Sequence, residues 1–505
     1  MELKIFRDTL SAMGSLCETK AELPVEAEIL IPDYLPQVFK IVKCFVHLVP
    51  LQKQIAAGRL TVEGYLRCVV YYQAEDDQSL CQTEQKIPFT RAMDLPEGEY
   101  QGYTVQVNGQ VEYLNCRAVN QRRVDVRGAY ALSARIAART EQEIVTALAD
   151  CGIEQKMIPL ESVKSLVNVD KLMTAEEQIN FPTVPQSILD IAGVGKVDEI
   201  KLISGKAVVK GKIQVSLLYR SGPGYQMEQA EQEVPFNQIL DLEGIPEDSE
   251  CFAFVEMTGC TVMAAAGQEG GNTITVTAML HLRVYRKSEC YLVSDAFSTQ
   301  YEAEVSTKTV LSEQLFRQIN ADCEVKVEGS LPDENAQVIH CFVTPYSLEL
   351  ATTEEGLMLV GRANAHVLCM NSLDEIDCYD KAFEYRVPGV LPGSAEQYRY
   401  ECWPVVTAIE TQKSGKDMVV KADIRVSGLI FERHREQVVD HVDCSQLLQP
   451  TEPDIALRIY YASQGENVFD IAKKYHVSPA AMMKSNELDD LELSRNTRLL
   501  VPVTV

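Results

Sequence analysis

The feature that most limits how this chain can fold is an alternating stretch that it carries three times. From Gly205 to Tyr219 the apolar Val209, Ile213, Val215 and Leu217 alternate with the polar Lys210, Lys212, Gln214 and Ser216. That two-residue period belongs to a strand with one face buried. Gly58 to Tyr72 has the same layout 147 residues earlier, with Val62, Leu66, Cys68 and Val70 on one side and Gly64 where Gly211 stands. A weaker copy runs from Gly356 to Cys369, with Leu359, Gly361, Ala363, Ala365 and Val367 in register. Downstream an apolar pair recurs as Pro88-Phe89, Pro235-Phe236 and Ala382-Phe383, the phenylalanines again 147 residues apart. Two landmarks sharing one spacing imply a triplicated unit, and a period this long means tandem domains, since solenoid repeats run to about 20–50 residues.

Each copy holds several amphipathic runs joined by short polar breaks. In the first, Glu75-Asp76-Asp77 turns the chain toward a partner strand from Leu80 to Phe89, and residues 120–123 turn Val105–Val119 into Val124–Ile136. In the second, Val255–Ala265 and the arm from Ile274 to Val284 flank a turn from Gly267 to Asn272. In the third, Cys402–Glu410 and Val420–Val426 flank Ser414-Gly415-Lys416. The expected fold is mainly β, with three tandem antiparallel sandwich- or barrel-like modules over residues 23–137, 179–298 and 299–436, after an N-terminal segment 1–22. Residues 138–178 read as a helical linker, with Thr140 as cap, Glu143 as its reciprocal partner, Ile144, Ala147 and Leu148 as the apolar stripe and Gly152 as the stop. Residues 437–456, with Pro450 and Pro453, read as a second linker.

The tail, residues 457–505, has a different pattern. Arg458 to Ala462 reads as a strand, and Asn467 can cap a helix whose Val468, Ile471, Ala472 and Tyr475 fall on one face. Ser478 then caps a helix that starts at Pro479, a slot where the missing N–H costs nothing, and Leu499, Val501 and Pro502 close with a strand. The expected order is strand, helix, helix, strand. Phe469, Met482 and Met483 are candidate contacts for a protein partner, and each is equally a candidate for filling a very small core.

Chemistry is harder to find. The seven histidines, His47, His281, His340, His366, His434, His441 and His476, show no metal-ligand spacing along the chain. Gly193-Val194-Gly195-Lys196 lacks the gap and the hydroxyl residue of a phosphate loop. No Gly-x-Ser-x-Gly elbow occurs, so no catalytic residue, metal or cofactor is expected. Trp403, the only tryptophan, is either core packing at a strand end or a binding anchor. The fifteen cysteines lie singly, without a CxxC pair, and read as reduced packing residues, with late oxidative cross-linking as the lesser alternative. A net charge of −26 repels nucleic acid and anionic lipid surfaces alike. The first residues lack the apolar run of a signal peptide, and no stretch is long enough for a membrane span.

The tail resembles a LysM domain through Gly465-Glu466-Asn467, Asp470 to Tyr475, Val477-Ser478, Asn486 and Leu499 to Pro502. Members of that family commonly bind N-acetylglucosamine polymers between two loops, which correspond here to residues 464–467 and 488–496. The usual Gly-Asp-Thr is Gly465-Glu466-Asn467, and the usual Pro-Gly is Arg495-Asn496, with Glu487, Asp489, Asp490 and Glu492 crowding the second loop. The candidate binding set is Gln464, Gly465, Glu466, Asn467, Phe469, Met482, Met483, Asn486, Leu488, Asp489 and Asp490.

The three β units, with the run Gly58 to Gly64 and the Pro-Phe landmarks, followed by one such tail, are similar to the SPOCS family of spore-forming clostridia. That resemblance implies a non-enzymatic protein of the mother-cell cytoplasm that helps to encase the forespore. Its tail would bind the coat-basement ATPase on the forespore surface, and its β units would carry further coat proteins. Peptidoglycan is the alternative partner, and an enzyme anchored by the tail is the third reading.

Overall fold

The computed structural model describes residues 3–98, 100–221, 227–263, 272–449 and 457–502. The turn expected at Gly267 lies outside the described residues. Alternation of buried and exposed side chains produces eighteen strands before the tail, in three sets of six. The first set is β1 (Lys4–Leu30), β2 (Val38–Ala56), β3 (Arg59–Ala74), β4 (Leu80–Asp94), β5 (Gln101–Asn120) and β6 (Arg123–Ala149). The second is β7 (Ile153–Ile179), β8 (Ser187–Ile203), β9 (Lys206–Arg220), β10 (Met227–Asp241), β11 (Glu250–Met263) and β12 (Asn272–Ser298). The third is β13 (Tyr301–Ser330), β14 (Gln337–Thr353), β15 (Gly356–Met370), β16 (Ile376–Arg386), β17 (Tyr398–Ser414) and β18 (Asp417–Leu447).

Each set forms two antiparallel three-stranded sheets. The short ones are β2-β3-β4, β8-β9-β10 and β14-β15-β16, and the long ones are β1-β6-β5, β7-β12-β11 and β13-β18-β17. Long and short sheets share a core. Val62, Leu66 and Val70 pack with Val25, Val126 and Leu132 in the first set, and Val209, Ile213 and Val215 pack with Val255, Ile274 and Val276 in the second. Among the described residues the sheets stay open and none closes into a barrel.

Strand register explains the two sequence landmarks. Gly64 lies opposite Phe89 and Gly211 opposite Phe236. A Cβ on Gly211 would sit 2.1 Å from the Lys196 carbonyl oxygen and 2.7 Å from the Phe236 ring, so glycine lets the aromatic lie across the strand. In the third copy the ring over Gly361 belongs to Tyr385, and Phe383 pairs with Ala363 instead.

The expected helical linker is a correction. Residues 138–149 finish β6, paired with the start of β1, and residues 153–178 belong to β7. Thr140 donates its hydroxyl hydrogen to the Ala12 carbonyl, 3.2 Å away, rather than capping a helix. Ile144 packs with Leu10, Leu160, Leu292, Val310 and Val438, while its neighbour Val145 packs on the opposite face with Val293 and Val439. A strand buried on both faces loses its two-residue alternation, and the remaining spacing mimics a helical stripe. Residues 4–22 likewise belong to β1, and residues 437–447 extend β18 rather than forming a linker.

In the tail, β19 (Arg458–Ala462) pairs antiparallel with β20 (Thr497–Val501), and α1 (Val468–Tyr475) and α2 (Pro479–Ser485) lie between them in sequence. Val468, Ile471, Ala472, Val477, Leu493, Leu499 and Val501 form its core. Among the described residues no helix is long and apolar enough to cross a membrane.

Candidate functional site

The two tail loops are knitted together by the backbone. Gly465 N–H donates to Leu493 O at 2.8 Å, Leu493 N–H to Glu466 O at 3.0 Å, and Val468 N–H to Leu491 O at 2.7 Å. Gln464 N–H reaches the Asn496 side-chain oxygen at 2.8 Å. Glu466 accepts from the Tyr460 hydroxyl and the Ser463 N–H, and Asn467 accepts from Phe469 N–H as the helix cap. Asn486 holds the edge of β20, donating to Leu500 O and accepting from Leu500 N–H. These loop residues therefore bind their own fold first. Gln464, Asp489 and Asp490 keep their side chains exposed, and Gly465 is exposed beside them.

Phe469 and Met482 are not exposed contacts. Both are buried in the tail core, with Met483 and Leu488 half-buried against it. Phe469 has a further partner, the Phe297 ring at the end of β12, with centroids 5.2 Å apart in an edge-on arrangement. Lys473 donates to both carboxylate oxygens of Asp295 at 2.6 and 2.7 Å, and His476 Nδ1 donates to the Ser298 carbonyl at 3.1 Å. Lys156 of β7 lies 3.6 Å from Asp470. Thus α1 is seated on the second set of strands. The face left open is the outer side of β19 and β20, where Ile459, Tyr461 and Leu500 are exposed. Alternation alone could have marked this face, since Tyr460, Ala462, Leu499 and Val501 point inward.

Where the sets meet, a buried chain of charge runs through all three. Lys53 of β2 and His281 and Arg283 of β12 donate to Asp170 of β7. Arg283 Nε donates to Glu401 at 2.7 Å, and Arg399 pairs with Glu401 and, in a two-pronged contact at 2.7 and 2.9 Å, with Glu313. Burial alone would raise the pKa values of Asp170 and Glu401. The donors around them, His281 and Arg283 for Asp170 and Arg283 and Arg399 for Glu401, hold both below the usual carboxylate range. Trp403 is half-buried at this seam, stacked on Phe254 at 5.3 Å and on His281 at 4.9 Å, so it anchors one set to another.

Beside the seam lies a chamber of about 1110 Å³ lined by all three sets, including His47, His281, His340 and His366. Its ionisable groups are mostly paired: His340 with Asp190 at 3.4 Å, His366 with Asp380 at 2.7 Å, and Arg67 with Glu84 at 2.7 Å. Desolvation, and then the Arg67 charge, pushes His47 down to about 4. Among the described residues, which hold all fifteen cysteines, no disulfide forms. Burial pushes the lining Cys341 thiol up to about 12, away from the thiolate form that attacks.

A family model described as "SipL, SPOCS domain" matches residues 37–119 and 185–264. The chain thus carries two SPOCS-like stretches, one in each of its first two sets of strands. The matched stretches run from the second strand of a set to the fifth, β2 to β5 and β8 to β11, leaving the first and last long strands outside. No curated protein and no solved structure matches the chain.

Proposed function

We propose that this protein is a non-enzymatic assembly factor of the spore coat, holding coat material to the forespore through its tail. The observation that carries this reading is the SPOCS match in two successive sets of strands, which points to a coat-related role. The tail is proposed to be a LysM domain that binds the coat-basement ATPase through the outer face of β19 and β20 and the acidic residues Asp489, Asp490 and Glu492. Its α1 face is already used internally, against Phe297. The paired charges of the chamber and the raised pKa of the Cys341 thiol favour holding over reaction. The β sets serve as spacer and scaffold, with room for other coat proteins.

Purified full-length protein offered the ATPase and insoluble peptidoglycan separates this reading from glycan binding. Retention by the ATPase is expected, and Tyr461→Ala should weaken it by about tenfold or more, about 1.4 kcal/mol. Retention by the glycan alone would reverse the order of the two readings.

A further inference from the structure

Strand register brings together three metal-ligating groups that spacing along the chain leaves apart. His366 of β15 lies directly opposite Asp380 of β16, and Cys378, two residues before Asp380, is opposite Leu368. All three side chains therefore leave the same face of the sheet. Their Nδ1, Sγ and carboxylate oxygen atoms lie within 4.8 Å of one another. His366 Nδ1 is 2.7 Å, and Cys378 Sγ 3.5 Å, from the same oxygen, Asp380 Oδ1.

We propose that His366, Cys378 and Asp380 form a zinc site, with solvent from the chamber as the fourth ligand. One imidazole, one thiolate and one carboxylate suit a borderline-soft ion that prefers four tetrahedral ligands. Zinc bonds of about 2.0–2.3 Å separate neighbouring ligand atoms by roughly 3.3–3.8 Å. The sulfur–oxygen distance already fits, and the imidazole–carboxylate pair must open by less than about 1 Å.

The surroundings are those of a ligand shell. Lys43 of β2 takes the other carboxylate oxygen, Oδ2, which leaves Oδ1 for the ion. The Phe45 ring stands edge-on to His366 at 4.9 Å and fixes the imidazole. Outer partners of this kind orient metal ligands. His366 and Asp380 both line the chamber, so solvent and ions reach the site. On loading, the Cys378 proton passes to solvent and the His366 proton moves from Nδ1 to Nε2. The divalent charge is then matched by one thiolate and one carboxylate. Lys43 comes from the first set and the ligands from the third, so the site lies where those two sets meet. The site stands independently of the coat reading.

The test is cobalt(II) binding to full-length protein kept reduced with a phosphine. We expect one equivalent with a thiolate-to-metal charge-transfer band, displaced by zinc, lost in Cys378→Ser and retained in Cys44→Ser. The Cys44 control matters because its sulfur lies 3.6 Å from that of Cys68, a second place where thiols gather. No band in the unaltered protein, or a band that survives in Cys378→Ser, overturns the site. Should Cys378→Ser fail to fold, Asp380→Asn keeps the thiol and the shape. It is expected to weaken cobalt at least about tenfold, and unchanged affinity would overturn the proposal equally.

Discussion

Two of the junctions between the three sets of strands work by opposite physics. At the base, the ends of the long strands bring together the aliphatic side chains of Leu10, Ile144, Leu160, Leu292, Val310 and Val438. At the seam, Lys53, Asp170, Arg283, Glu401, Arg399 and Glu313 are joined by directional charged hydrogen bonds. Aliphatic packing rewards area and tolerates small shifts. A desolvated ion network penalises any arrangement that leaves a member unpaired. The base therefore supplies cohesion, while the seam specifies which arrangement of the three sets is adopted.

The largest effect should come from removing one member of the seam. Arg399→Ala leaves Glu313 and Glu401 buried without their shared partner and should destabilise the protein by about 3–5 kcal/mol. Trp403 reports on this seam directly, so its fluorescence during urea unfolding is the measurement. Replacing Glu313, Arg399 and Glu401 together by apolar residues of similar volume should cost far less. If the triple variant matched the single one, shape rather than unpaired charge would be the cause. At the base, Leu292→Ala should cost about 2–4 kcal/mol. Here charge reversal at the seam and salt should leave the penalty unchanged.

Acid should separate the two regions further. Asp170 and Glu401 are held below their unfolded values, so the stability that they contribute is complete above the unfolded carboxylate range. It is lost as pH falls from about 4 toward the folded values. Urea midpoints measured from pH 7 to pH 3 should decline less steeply in Glu401→Gln than in the unaltered protein. The aliphatic base contributes no such slope. The smallest effect belongs to the seat of the tail. Lys473 and Asp295 are both partly exposed, so solvent screening limits Lys473→Ala to at most about 1 kcal/mol. High salt should shrink even that difference.

Much of this architecture was legible in the residues. The repeated glycine and phenylalanine gave the triplication, and register shows why: in two copies the pair are cross-strand neighbours, so one spacing governs both. The tail's order of strand, helix, helix and strand was readable because Asn467 caps the first helix above an apolar stripe and Pro479 opens the second, where the Ser478 side chain makes no capping bond. The misreading at residues 138–178 arose where Ile144 and Val145 are buried on opposite faces, a tertiary fact with no local signature. Phe469 illustrates the same limit, since its burial depends partly on Phe297, far away in sequence. The His366 cluster escaped notice because its spacing only has meaning once β15 and β16 are paired.

The seat of the tail has a mechanical consequence. Although the tail follows the third set in the chain, its first helix rests on the second, through Phe297, Asp295 and Ser298. Lifting the tail off the second set must therefore part the aromatic pair and the Lys473–Asp295 ion pair. The seat is a sacrificial clasp, set beside the covalent chain rather than along it.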